Sequence, residues 1–176
     1  MERQRYTLFA RALHWAIAPL ILGQIVLGFA TDSAPRDQAE AWRKLHAEIG
    51  LLLAGLMLLR LSWRIARPPP PLPPALRAWI RLLASTVHRL LYLAVLVMLA
   101  SGMTVWMWLG DRLTLLGLVP VSLPDLSGHD EFWLSVAGYT HEYGAWLLAA
   151  LITLHVAGAL WHEFMLKDRL IRDRML

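Results

Sequence analysis

The chain has 176 residues, of which 57% are hydrophobic and 17% charged, against roughly 45–50% apolar in soluble domains. It contains no cysteine, which excludes disulfides, cysteine-ligated iron–sulfur clusters, covalently attached c-type haem and thiol catalysis, so histidine must do any metal chemistry. The formal charge of +4 does not point to nucleic acid, because the polybasic, aromatic-interleaved patch that nucleic acid needs is missing and membrane proteins gather Lys and Arg at span ends for topological reasons.

The apolar residues fall in long blocks, not in the short alternating runs of a membrane β-barrel. A hydrocarbon core about 30 Å thick takes about 20 mostly apolar helical residues, and four stretches meet that length. The first runs from Leu8 to Ala30. Its basic start and apolar middle look like a signal peptide, but the stretch is long for one and carries Arg11 and His14 inside the apolar part, so it is expected to remain as a span. The second runs from Leu45 to Trp63. After it, Pro68, Pro69, Pro70, Pro71, Pro73 and Pro74 cannot continue a helix and predict a short polyproline II spacer between two helical hairpins. The third span runs from Val87 to Leu109. The connection from Gly110 to Ala137, with Pro120, Pro124, Asp111, Asp125, Asp130 and Glu131, is expected to fold over one membrane face. The fourth span runs from Tyr139 to Phe164. Trp15, Trp42, Trp63, Trp79, Trp106, Trp108, Trp133 and Trp161 stand near the span ends, where interfacial aromatic belts form. The pattern predicts an all-α, integral membrane four-helix bundle in one domain, with the lipid bilayer as its surroundings.

Thirteen of the seventeen basic residues fall on the side that holds both termini: Arg3, Arg5 and Arg11, then Arg60, Arg64, Arg67, Arg77, Arg81 and Arg89, then Lys167, Arg169, Arg172 and Arg174. Only Arg36, Arg43, Lys44 and Arg112 fall on the other. Both termini are therefore expected in the cytoplasm, with the chain as a multi-pass protein of the bacterial inner membrane.

Six of the seven histidines lie in or beside a span, where an ionisable side chain is a functional hypothesis by default. His129 sits in the polar connection and is expected to have no special role. His155 follows His141 by fourteen residues, which on a helix is about 21 Å of depth with a net rotation of about 40°, so the two share one face at two levels. His46 can reach the outer level of His141, and His14 the inner level of His155. Two facing imidazoles are what a six-coordinate haem iron in a bundle core needs. Gly50, Gly144 and Gly158 follow His46, His141 and His155 by three or four residues and leave room for a flat macrocycle, with Gly23 and Gly28 as further candidates. Glycine also serves plain helix packing. Arg60, fourteen residues after His46, lies on nearly the same face and suits a haem propionate, or else simply snorkels. His88 and His162 lie near the inner surface, where they could donate to a quinone carbonyl or relay its proton, or be ordinary interfacial residues.

The sequence resembles the bacterial cytochrome b561 family over nearly its whole length. The residues that carry the resemblance are RALHW at Arg11 to Trp15, KLHAEIG at Lys44 to Gly50, MLLR at Met57 to Arg60, the proline linker, VHRLLYL at Val87 to Leu93, THEYG at Thr140 to Gly144 and LHVAGALWHEFMLKD at Leu154 to Asp168. The resemblance implies two b-type haems with bis-histidine ligation, and by position it assigns the ligands to His14, His46, His141 and His155. It also implies electron transfer with ubiquinone or another quinone. Some members stand alone, including a superoxide oxidase that oxidises superoxide at the periplasmic face, and others anchor a hydrogenase or related dehydrogenase as redox partner. The compact size resembles the stand-alone type. Steering of an anion wants a basic outer funnel, whereas Asp32, Asp37, Glu40, Asp111, Asp125, Asp130 and Glu131 outnumber the outer basic residues. A remote alternative is a small histidine-based transporter, for which Gln24 and Ser101 would supply the polar lining.

Overall fold

The computed structural model describes residues 5–74, 76–110, 112–128 and 130–175. Arg3, Asp111 and His129, used in the sequence reading, lie outside the described residues. Four helices dominate: α1 (Leu8–Ser33), α2 (Arg36–Ala66), α3 (Ala78–Leu109) and α4 (Glu131–Leu160), and all four are long and apolar enough to cross a membrane. Large apolar side chains such as Leu22, Val26, Leu58, Leu93 and Leu147 point outward, as lipid-facing residues do.

Three helices start earlier than their apolar blocks. Polar residues form helix as readily as apolar ones when the ends are satisfied, so hydrophobicity marks the membrane crossing and not the helix. Thus α2 begins at Arg36 instead of Leu45, with Asp37 in its first turn, where the helix dipole favours an acid. α3 begins at Ala78 instead of Val87. α4 begins at Glu131 instead of Tyr139, because the Asp130 carboxylate accepts the Phe132 N–H at 2.9 Å and caps it. At the start of α1, Thr7 Oγ1 accepts from Ala10 N at 3.2 Å and from Trp63 Nε1 at 2.9 Å, which joins the N-cap to the end of α2.

The connection after α3 is not wholly irregular. β1 (Leu113–Leu115) and β2 (Val119–Val121) pair antiparallel, with Leu115 opposite Val119. The turn places Leu116 and Gly117 at positive φ and is closed by Leu118 N donating to Leu115 O at 3.0 Å, the arrangement of a hairpin turn. Leu113 is the most buried large side chain among the described residues. Beside it, the Thr114 hydroxyl donates to Glu48, a buried carboxylate of α2, and so holds the hairpin against the outer end of the bundle. Trp106 is also buried here, 6% exposed, instead of facing the membrane interface.

α1 packs along α2 and α3 along α4, and the two hairpins meet chiefly through α2 and α3. The buried core is Leu13, Ile17, Leu53, Met57, Val95 and Leu148. α4 continues past Leu160 into a π-helical turn, Trp161–Leu166, and Lys167 in the left-handed region (φ 51°) ends it. The short helix α5 (Leu170–Met175) then returns across the inner end.

The first and last described residues meet there. Tyr6 N donates to Arg174 O at 3.3 Å, Arg5 Nε to Asp173 O at 3.1 Å and Trp15 Nε1 to Met175 O at 3.2 Å. The Arg174 side chain, 6% exposed, donates to Pro70 O at 2.5 Å and Pro71 O at 2.9 Å. Prolines lack an N–H but keep a carbonyl, so this guanidinium fastens the linker to the C-terminus. Hydrogen bonds to a charged group contribute about 1.5–3 kcal/mol each, so Arg174→Ala is expected to lower stability by about 2–4 kcal/mol. Thermal unfolding in detergent checks this, and limited proteolysis should then cut first in the proline linker.

Candidate functional site

The alternating directions of the helices bring five histidines into two groups. At the outer level, His46 of α2 faces His141 of α4, with ring centroids 5.9 Å apart and planes at 83°. At the inner level, His14 of α1 faces His155 of α4 at 6.4 Å and 83°. Both pairs join the residues that depth along the helices had matched. Leu53 lies midway between His46 and Arg60, and Leu148 midway between His141 and His155, so the apolar core separates the two levels. A metal ion about 2 Å from each of two imidazole nitrogens, with each ring centre about 1 Å further back, sets centroids about 6 Å apart. Both pairs have that separation.

The partners of each ring define what it can offer. His141 Nδ1 lies 3.1 Å from Met98 O and 3.2 Å from Ser101 Oγ. A carbonyl only accepts, so Nδ1 carries the proton and Nε2 keeps its lone pair, the form of a metal-ligating imidazole. The backbone carbonyl of His46 accepts from Gln24 Nε2 at 2.7 Å. Its own Nδ1 is buried without a hydrogen-bond partner.

Gln24 therefore ties α1 to α2, and Ser101 bonds Met98 O at 3.2 Å and stands beside His141. The two polar residues that a transport path would use are thus engaged in packing and ring support.

The glycines divide. A side chain at Gly102, on α3, would meet His141 Cε1 at 2.6 Å, and one at Gly28 would meet His46 Cε1 at 3.4 Å. Gly50 opens toward Gln24 and Gly144 toward the Met98 sulfur, whereas Gly158 has nothing within 4 Å of an added Cβ. The glycine nearest a candidate ligand lies on the helix facing it, so a search along the histidine's own helix could not find it.

At the inner level, Arg60 Nη1 donates to Ala10 O at 3.0 Å, and Arg60 and Arg64 stand 5.8 and 4.9 Å from the Tyr92 ring. Arg11 Nε, three residues before His14, is buried with no partner. The sequence reading gave Arg11 no role toward a haem. Two ion pairs lie beyond these residues near the C-terminal end, His162 with Asp168 at 2.6 Å and Arg172 with Glu163 at 2.6 Å.

His88 and His162 are engaged separately. His88 stands against His155, with ring centroids 5.0 Å apart, and its Nδ1 is 2.6 Å from Ala84 O. His162 bonds Asp168 because the chain reverses at Lys167 and carries that carboxylate back onto the ring.

A family model described as prokaryotic cytochrome b561 matches residues 5–176. The chain is 32% identical to cytochrome b561 homolog 2 of Escherichia coli (strain K12), over 98% of this chain and 92% of that protein. It is 29% identical to cytochrome b562 of Cereibacter sphaeroides, over 97% and 94%. It is 24% identical to a probable superoxide oxidase CybB of Yersinia pestis, over 98% and 96%. Four membrane-spanning helices, paired intramembrane histidines and a family match over nearly the whole length lead to one assignment: the chain belongs to the prokaryotic cytochrome b561 family, multi-pass bacterial membrane cytochromes that bind b-type haem and transfer electrons.

Proposed function

We propose that the protein holds two b-type haems, one on His46 and His141 and one on His14 and His155, and carries electrons between a donor at the outer face and quinone near the inner end. The observation that carries this reading is the pair of imidazole couples, 5.9 and 6.4 Å apart, at two depths on either side of an apolar core. The surroundings fit the group. His141 presents Nε2, the buried His46 Nδ1 and Arg11 Nε lack protein partners, and Gly102 leaves no side chain where the His141 ring stands. When bound, haem supplies reversible one-electron chemistry at each level.

The chain's own residues do the rest. Leu53, Leu148 and their neighbours exclude water between the levels and keep the surroundings apolar. Met98 O fixes the His141 ring. Arg11 and Arg60 are placed to pair with propionates, since a guanidinium matches a carboxylate in shape and charge. His162, held through Nδ1 by Asp168, turns an Nε2 lone pair to the inner surface, where it can accept the hydroxyl proton of a quinol. His88 is turned toward His155 instead and is left out of the quinone site. The excess of basic residues at the inner end supports a cytoplasmic position for that end and an inner-membrane location for the chain.

The name of the Yersinia relative suggests superoxide as donor. Two superoxide ions, each oxidised to dioxygen, would provide the two electrons that reduce one quinone with two protons. A second reading, a haem-bearing anchor for a dehydrogenase, is favoured by the outer face, where Asp32, Asp37, Glu40, Asp125, Asp130 and Glu131 are exposed and outnumber Arg36, Arg43, Lys44 and Arg112. Such a face repels a small anion and suits a basic protein surface. The two readings separate in proteoliposomes containing quinone and the haem-loaded protein, with superoxide generated outside. Quinol formation without any added protein supports the stand-alone reading. Quinol formation only with a copurifying partner supports the anchor, and no exchange with quinone under either condition overturns both.

A further inference from the structure

The inner level holds one imidazole more than a metal between two rings requires. His88 of α3 stands nearer to His155 than His14 does, at 5.0 Å between centroids against 6.4 Å, with the rings 78° apart. The two separations correspond to different chemistry. The two rings meet edge to face, and with each nitrogen about 1 Å from its ring centre a 5.0 Å separation leaves about 3 Å along the line of centres, the reach of an N–H···N hydrogen bond once two nitrogens turn onto that line. That is too short to hold a metal at about 2 Å from both. His88 is therefore a direct neighbour of His155, not its counterpart across an iron.

The tautomer of His88 follows from its other contact. Nδ1 lies 2.6 Å from Ala84 O, and a carbonyl only accepts, so the proton is on Nδ1 and Nε2 carries a lone pair. A histidine that binds metal through one nitrogen carries a proton on the other and normally donates it to a carbonyl, a carboxylate or water. At the outer level, His141 has Met98 O for that purpose, at 3.1 Å. Among the described residues His155 has only its two ring contacts, with His14 and His88.

We propose that His88 is a positioning residue for the inner haem: it accepts the N–H of His155 and completes a relay from Ala84 O through His88 to the axial ligand. The proposal rests on the reading of His155 as an axial ligand. An acceptor on the non-ligating nitrogen makes the ligating one more basic and fixes the ring plane. A more basic ligand favours the oxidised iron, so His88 holds the inner reduction potential down, where a second imidazole replaces the neutral carbonyl used by His141.

The test compares His88→Phe, which keeps a ring and removes the acceptor, with His88→Gln, which retains one. Haem per chain is counted, and each haem is titrated for its reduction potential. His46→Ala serves as a background in which only the inner haem remains. The expected result is two haems in both variants, with the inner haem of His88→Phe about tenfold easier to reduce, about 59 mV for one electron. His88→Gln should return most of that shift, and the outer haem should not move. An unchanged inner potential in His88→Phe would overturn the proposal, whether or not quinone reduction were lost. Loss of the inner haem from both variants would overturn it too, by making His88 a ligand. A wild-type chain without two low-spin haems would instead defeat the ligand reading, and the proposal with it.

Discussion

His46→Ala is expected to halve the haem content, from two per chain to one, while the protein remains in the membrane. His46 and His141 face each other across 5.9 Å at the outer level, and His14 and His155 across 6.4 Å at the inner level. The apolar core around Leu53 and Leu148 lies between them. Removing one imidazole takes away one of the two facing rings at that level and with it an axial bond. The inner pair shares none of these residues, so its absorption and potential should persist. His46→Ala combined with His155→Ala should leave no haem. The pyridine haemochrome content per chain reads both results directly. An unchanged content in His46→Ala would remove His46 from the site.

Gly102→Ala is the second large effect expected, although it alters no candidate ligand. The added methyl would stand 2.6 Å from His141 Cε1 and 3.0 Å from Nδ1, well inside van der Waals contact. The ring is held on that side by Met98 O and Ser101, so it can yield only by breaking those bonds. Overpacking of this kind costs about 1–3 kcal/mol, and here the displacement also carries the nitrogen away from its position opposite His46. The outer haem should be lost or become high-spin while the inner one is retained. Gly144→Ala is the control. Its methyl would stand 2.7 Å from the Met98 sulfur, but a thioether on a flexible side chain can move aside. Absorption spectra of the two variants should therefore differ sharply, although the distances of approach are nearly equal.

The four spans were legible because a membrane core demands long apolar runs, and the runs are there. The depth matching of the histidines was legible for the same reason: alternating helix directions and a rise of about 1.5 Å per residue turn sequence position into level. What apolarity could not mark were the polar extensions of the helices, such as Arg36 to Lys44 at the start of α2, where the helix leaves the membrane and continues. The β-hairpin was missed because its strands are three residues each and its turn needs positive φ at Leu116, a leucine. The inner end was the least legible. His162 continued the stripe of His141 and His155 in projection, but the π-helical turn and the reversal at Lys167 deliver Asp168 to it, a contact that no periodicity encodes. His88 and Gly102 gain their meaning only from α4, the helix that faces them, and so lay beyond any reading of α3 alone.

The central claim is best tested by a dithionite-reduced minus oxidised absorption spectrum of the purified protein, together with haem extracted and counted per chain. The account predicts non-covalently bound b-type haem, two per chain, with the sharp bands of low-spin bis-histidine iron. A single haem, a high-spin spectrum or a colourless protein would contradict it.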